Sequence, residues 1–237
     1  MFIAFYNNII YYPLLNLLVW FYNIIPGHDI GIVIVLLTLL IRLALAPSFH
    51  KSLKSQKAMN DLQPKLNDLR EKHKDDKEAQ ARAMMGLYKE HKINPLGSCL
   101  PLLIQLPILI GLYQVFSKAL GGHELLGLYG FVKSPGTINP LFLGLINLAK
   151  PSIALGVLAG LAQFWQSKMM MPKTQSADST TKIMSMQTTY VLPVVSAIIA
   201  VRLPAGLPLY WIVTTLFAVG QQYYINGSKV PDTNAAN

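Results

Sequence analysis

Between Ile30 and Ala46 the chain reads IGIVIVLLTLLIRLALA, an apolar run whose one charge is Arg42. As a helix this run rises about 25 Å, close to the ~30 Å hydrocarbon core of a bilayer. A cation inside such a helix costs roughly 2.5–3.5 kcal/mol on insertion scales unless it meets water, a partner or a route to the headgroups. Pro47, His50 and Lys51 follow at once, so one reading makes Arg42 a flanking arginine that snorkels to the interface. The other makes it a working group facing a wet recess. Polar residues recur inside the other apolar segments, which favours the second reading.

Composition gives the class. Apolar residues form 52% of the chain and charged ones 13%, mean hydropathy is +0.39, and several stretches approach the ~20 residues a spanning helix needs. The expectation is an all-α polytopic membrane protein with one membrane domain. Cys99 is the single cysteine, so the fold rests on helix packing rather than on a disulfide, and Cys99 reads as a small packing residue. The absence of an internal repeat argues against transporters built from duplicated halves. The start, MFIAFYNN, has no basic n-region and is expected to be retained.

Aromatics from Phe2 to Tyr22, with Asn7, Asn8, Asn16 and Asn23 among them, predict an interfacial amphipathic helix over 1–27. A first spanning helix is the alternative, which Pro13 and the asparagines weaken. The first span is expected over 28–50, ended by Pro47. Residues 51–93 follow as a cytoplasmic helical hairpin. Eleven Lys or Arg and seven Asp or Glu lie between Lys51 and Lys92, with Asp61/Lys65, Asp68/Lys72 and Glu78/Arg82 in the favourable i,i+4 order and Lys74–Lys77 at the tip. A solvated spacer is the rival reading of this hairpin. The second span covers 94–117 and includes Pro101, Gln105 and Pro107. An outer loop with a short helix covers 118–150, the third span 151–168, a cytoplasmic loop 169–187, the fourth span 188–202, the fifth 206–225 and a short tail 226–237. Lys168, Lys173 and Lys182 add to the basic side, against Lys118, Lys133, Lys150 and Arg202 opposite. The hairpin and C-terminus are therefore expected in the cytoplasm and the N-terminus outside.

No catalytic or metal-binding spacing is visible around His28, His50, His73, His91 or His123, so neither an enzyme nor a cofactor is expected. Thr38 and Arg42 stand four apart on one helical stripe, and Gln163 lies near the cytoplasmic end of another span. Together they suggest a recess reaching partway across the membrane. Gln105 reads better as one member of an interhelical hydrogen bond. Met169, Met170, Met171, Met184 and Met186 crowd one loop and are assigned no site. Rival classes are an anion-selective channel or transporter, in which Arg42 binds the permeating anion, and an intramembrane enzyme acting on lipid headgroups. A full-width polar stripe would mark the first and a nucleophile beside a base the second.

Four stretches carry a resemblance: Thr38-Leu-Leu-Ile-Arg42 with Pro47; Gln63-Pro64-Lys65; Asn94-Pro95-Leu-Gly-Ser-Cys99-Leu-Pro101-Leu-Leu-Ile-Gln105-Leu-Pro107; and Leu203-Pro204-Ala205-Gly206-Leu207 through Leu209-Tyr210-Trp211 to Gln221-Gln222. In this order the chain is similar to the YidC family of membrane protein insertases, which includes mitochondrial and thylakoid homologues. The resemblance implies a bacterial plasma-membrane protein with five spans around a hydrophilic, positive groove, open to the cytoplasm and to lipid but closed outside. It implies that Arg42 keeps the groove hydrated, that Thr38, Tyr210 and Trp211 line the path of a nascent helix, and that Gln105 and Gln163 add polarity. The hairpin cations Lys51, Lys54, Lys57, Lys65, Arg70 and Lys72 are expected to recruit. The implied partners are nascent membrane proteins and the lipid bilayer, with the Sec translocon, the signal recognition particle or its receptor, and the ribosome as candidates, and no direct nucleic-acid site. Thr215 departs from the Asn common in bacterial members. The expectation is of a member without the large outer domain of many Gram-negative relatives, the lipoprotein signal of many Gram-positive ones, or a basic ribosome-binding tail, since Lys229 is the one cation after Ile225.

Overall fold

A computed structural model describes residues 2–94, 100–171 and 186–227. The expectations placed on Cys99, on most of the third-to-fourth loop and on the tail lie outside the described residues. The chain opens with α1 (Phe2–Tyr6), a π turn (Asn7–Tyr11) and α2 (Tyr12–Ile24), which follow one another without a gap. Pro13 therefore does not break the helix. The wider ladder just before it gives the ring room and absorbs the missing N–H. The same device recurs where a π turn (Gln187–Val191) precedes Pro193 in α8 (Leu192–Ala200).

One side of α2 enters the core through Leu15, Leu18 and Val19. The asparagines that interrupt this segment fasten the outer loop. The buried Asn16 donates through Nδ2 to the carbonyls of Tyr12 and Gly127 and accepts from the Tyr129 amide at 2.7 Å, while Asn23 donates to the Lys133 carbonyl. Tyr6 donates to the Pro107 carbonyl at 3.4 Å, so the start of this segment packs against the apolar helix that contains Pro107.

The expected stop at Pro47 is also corrected. α3 runs from Ile30 to Asp61 with Pro47 inside it, a rise of about 48 Å. One lost hydrogen bond does not end a helix this long when its neighbours pack against it. Lys51 to Asp61 is thus the continuation of α3, not a separate hairpin arm. The interruption falls at Leu62, next to Pro64 in the first turn of α4 (Gln63–Lys72). A turn at 73–76 leads into α5 (Lys77–Glu90), whose first amides are accepted by the Asp76 carboxylate. Glu78 and Arg82 pair at 3.1 Å, while Leu62 and Leu66 are buried.

α6 (Leu100–Leu120) contains Pro107, α7 (Ile153–Met169) packs on α8, and α9 (Gly206–Gly227) lies against both α7 and α3. A Cβ on Gly156 would come within 2.4 Å of Val201, and one on Gly160 within 2.6 Å of Ala197. The spacing of these two glycines is what lets α7 and α8 approach so closely.

The short helix expected in the outer loop is instead a hairpin of β1 (Leu141–Phe142) and β2 (Ile146–Asn147), with Leu141 facing Asn147 and Phe142 facing Ile146. Leu143 and Gly144 both take positive φ, and Pro140 and Pro151 bracket the segment, so helix cannot propagate through it. Phe142 lies over Gly31, where a Cβ would sit 2.0 Å from its ring. The Asp29 carboxylate accepts from Gly31 and Ile32 at the start of α3 and from Leu143 at 2.6 Å. α3 and α6 are each long and apolar enough to cross a membrane. Large apolar side chains stand exposed on the bundle, including Leu40 and Leu43 on α3, Leu103 and Ile110 on α6, Leu158 and Leu161 on α7 and Ile198 on α8. A face of this kind suits lipid rather than water.

Candidate functional site: a buried arginine between three helices

Residues four apart share a helix face, and α3 presents Thr38 and Arg42 where α9, packed beside it, presents Tyr210 and Thr214. All four are buried, Arg42 to 7% exposure. Thr38 gives its hydroxyl proton to the Ile34 carbonyl at 2.6 Å, which leaves oxygen lone pairs as its polar offering. On α6, Gln105 donates from Nε2 to the Tyr210 hydroxyl. This is the interhelical bond the sequence suggested for Gln105, and it ties α6 to α9 beside the arginine. Arg42 on α3 and Tyr210 on α9, two helices packed on each other, are both buried.

The guanidinium is left short of partners. Its Nε and one Nη are buried without a hydrogen bond, and the sequence places no Asp or Glu between Ile30 and Asn60 or anywhere in α6, α7, α8 or α9. Burial of a charge without a counter-ion costs several kcal/mol, so this site calls for water or an anion. Among the described residues an aromatic ring is well placed beside it: the guanidinium carbon lies 4.4 Å from the centroid of the Phe49 ring, in cation–π range.

The structure therefore brings together four residues singled out from sequence: Thr38, Arg42, Gln105 and Tyr210. Trp211, one position along from Tyr210, is half-buried and packs against the apolar core. Gln163 is half-buried on α7, whose neighbours are α8 and α9. Sequence reasoning missed Phe49. The signal was a spacing of seven, two turns along the face of Arg42, but Pro47 was read as a helix end between them.

A second polar cluster lies further along α3. Lys57 donates to the Ile225 carbonyl in the last turns of α9 at 3.4 Å, and Asn60 donates to the carbonyl of Met170, which caps α7, at 2.9 Å. A cation and an amide donor thus meet the electron-rich ends of two helices. They border a cavity of about 50 Å³ lined also by Leu53, Gln56, Met169 and the buried Gln222. Of the hairpin cations, Lys51, Lys54, Lys65 and Lys72 are exposed, whereas Lys57 and Arg70 are half-buried. Lys65 Nζ lies 3.4 Å from the His91 ring, and the Arg70 carbonyl accepts from Gln80.

Comparison with known proteins matches residues 20–232 to the family model described as 60Kd inner membrane protein. Curated relatives named "Membrane protein insertase YidC" occur in Pelobacter propionicus, 36% identical over 90% of this chain and 38% of the relative, in Syntrophus aciditrophicus, 38% identical over 90% and 36%, and in Geobacter sulfurreducens, 37% identical over 91% and 37%. The chain thus spans somewhat over a third of the length of the curated relatives it matches.

Proposed function

The chain belongs to the 60Kd inner membrane protein family, and from that premise we propose that it is a membrane protein insertase and chaperone of a bacterial plasma membrane. Five spans, namely α3, α6, α7, the helix ending in α8, and α9, enclose a hydrophilic groove open to the cytoplasm, and nascent transmembrane segments pass through it into lipid. The N-terminus stands outside, and the hairpin and C-terminus inside. No covalent step is involved. The observation that carries this reading is the buried Arg42, with two nitrogens unpartnered among the described residues and no acidic residue between Ile30 and Asn60 or in α6, α7, α8 or α9.

The physics runs from that charge. Water at an unpaired guanidinium carries a polar environment partway into the bilayer and shortens the apolar stretch a polar substrate tail must cross. A carboxylate about 4 Å from the guanidinium gains roughly 4 kcal/mol at an effective dielectric near 20. The substrate's apolar helix then leaves sideways, driven by its own removal from water. The hairpin and the end of α3 that leads into it serve as the recruiting arm, offering Lys65 and Lys72 from the first and Lys51 and Lys54 from the second to a targeting partner, with the Sec translocon, the signal recognition particle or its receptor, and the ribosome as the partners to assay.

The test replaces Arg42 in cells depleted of their own insertase. Arg42→Lys keeps most insertion of a substrate with an acidic translocated tail, whereas Arg42→Ala lowers it roughly tenfold, the effect of about 1.4 kcal/mol. Equal insertion by Arg42→Ala and the parent would remove the electrostatic role.

A further inference from the structure

Arg42 does not wait bare. Phe49, on the same helix and the same face, is itself buried and places its ring against the guanidinium. The two Cα atoms are separated by about 10 Å along the axis. Side chains on a helix lean toward its N-terminus, so Phe49 leans back toward Arg42, and the guanidinium carbon lies 4.4 Å from the centroid of its ring. Phe49 is also the member nearer Lys51 and Lys54, the cytoplasmic end of α3 in the reading above. An anion arriving from that side meets the ring before the charge.

We propose that Phe49 is the gate of the arginine site: its ring holds the guanidinium in place of a counter-ion and yields when a carboxylate of an incoming segment takes over. Phe49 is thus a positioning and specificity residue, and its role rests on the insertase reading. The exchange has a direction. A cation–π contact is the weaker of the two attractions, and a carboxylate at the same distance outcompetes it, whereas a neutral tail does not. The ring therefore sets a threshold that an acidic tail must overcome, and it lowers the advantage of acidic tails over neutral ones. Because α3 continues through Pro47, ring and guanidinium sit on one continuous helix, and the proposed exchange is a rotation of side chains.

The full chain in proteoliposomes without substrate supplies the first readout, the rate at which hydroxyphenylglyoxal modifies Arg42, followed by peptide mass spectrometry. Phe49→Leu, which fills the space but offers no π face, raises that rate about three- to tenfold. Phe49→Met, a second apolar replacement, does the same, and Phe49→Trp returns it to the parent value or below. The second readout is the insertion ratio of one substrate carrying an acidic or a neutral tail. This ratio rises in Phe49→Leu and is restored in Phe49→Trp, a pattern that a merely structural role would not produce. Unchanged glyoxal rates in both aliphatic variants overturn the gate, as does an unchanged or lowered insertion ratio. The labelling needs no substrate, so a failed gate and a failed insertase reading give separate results: the first leaves Arg42→Ala defective in cells, and the second leaves the labelling pattern intact.

Discussion

At the scale of single residues, Arg42 inside α3 and Asp29 at its start use their charges in different ways. Arg42 is buried with little to bind, whereas Asp29 uses its whole carboxylate: one oxygen caps the helix and the other accepts from Leu143 in the outer hairpin. The two functions separate by substitution. Asp29→Asn keeps an acceptor for the cap but places an NH₂ where Leu143 needs an oxygen, and Asp29→Ala loses both. Loss of a cap costs ~1 kcal/mol, and loss of the solvent-exposed hydrogen bond to Leu143 about 0.5–1.5 kcal/mol. The expected order of thermal stability in detergent is therefore parent, then Asn, then Ala. An Ala variant as stable as the parent would show that the carboxylate does not hold the outer hairpin. Thr38 and Arg42 were legible in the sequence because helical spacing is a local property. Phe49 was not, because the rule that proline ends helices was carried into a helix whose neighbours support it through Pro47.

At the scale of elements, three prolines sit where the helix continues and one marks a break. Pro13 and Pro193 each follow a π turn, and Pro47 lies inside α3, while Pro64 sits just after the interruption at Leu62. The joint of the hairpin is therefore Leu62–Pro64, about 22 Å further along the helix than Pro47. The long extension of α3 is not free either, since Lys57 and Asn60 tie it to the ends of α9 and α7. What lies beyond the joint, α4 and α5, packs mainly on itself. Replacing residues 70–82 with a short Gly/Ser turn accordingly leaves the bundle's melting temperature within a few degrees of the parent, and insertion of a targeted substrate falls several-fold. A shortened chain that is equally stable and fully active would make the hairpin a spacer. The outer β-hairpin was illegible for a different reason. Its two-residue strands carry no period, and the mark of its turn was Gly144 between Pro140 and Pro151 within a segment scanned for apolar length.

At the scale of the whole molecule, the two ends of the bundle differ. On the Asp29 side, α2, the loop from Leu125 to Lys150 and the turn before α9 are knitted together: Asn16 and Tyr22 bond the loop, and the amides of Ala205 and Gly206 donate to Lys150 and Leu148. At the Lys57 side a cavity persists between α3, α7 and α9. The buried Arg42 lies between the knitted end and the end with the cavity, the order that the proposed recess requires. The central claim is that this recess receives nascent segments. Its most direct measurement is site-specific photo-crosslinking in membranes to a stalled nascent membrane protein, with the crosslinker placed singly at positions 38, 105 and 210 and, as a control, at the exposed Leu145 of the outer hairpin. The expected result is adducts from 38, 105 and 210 that shift along the nascent chain as it lengthens, and none from 145. Adducts from 145 alone, or from no position, would contradict the account.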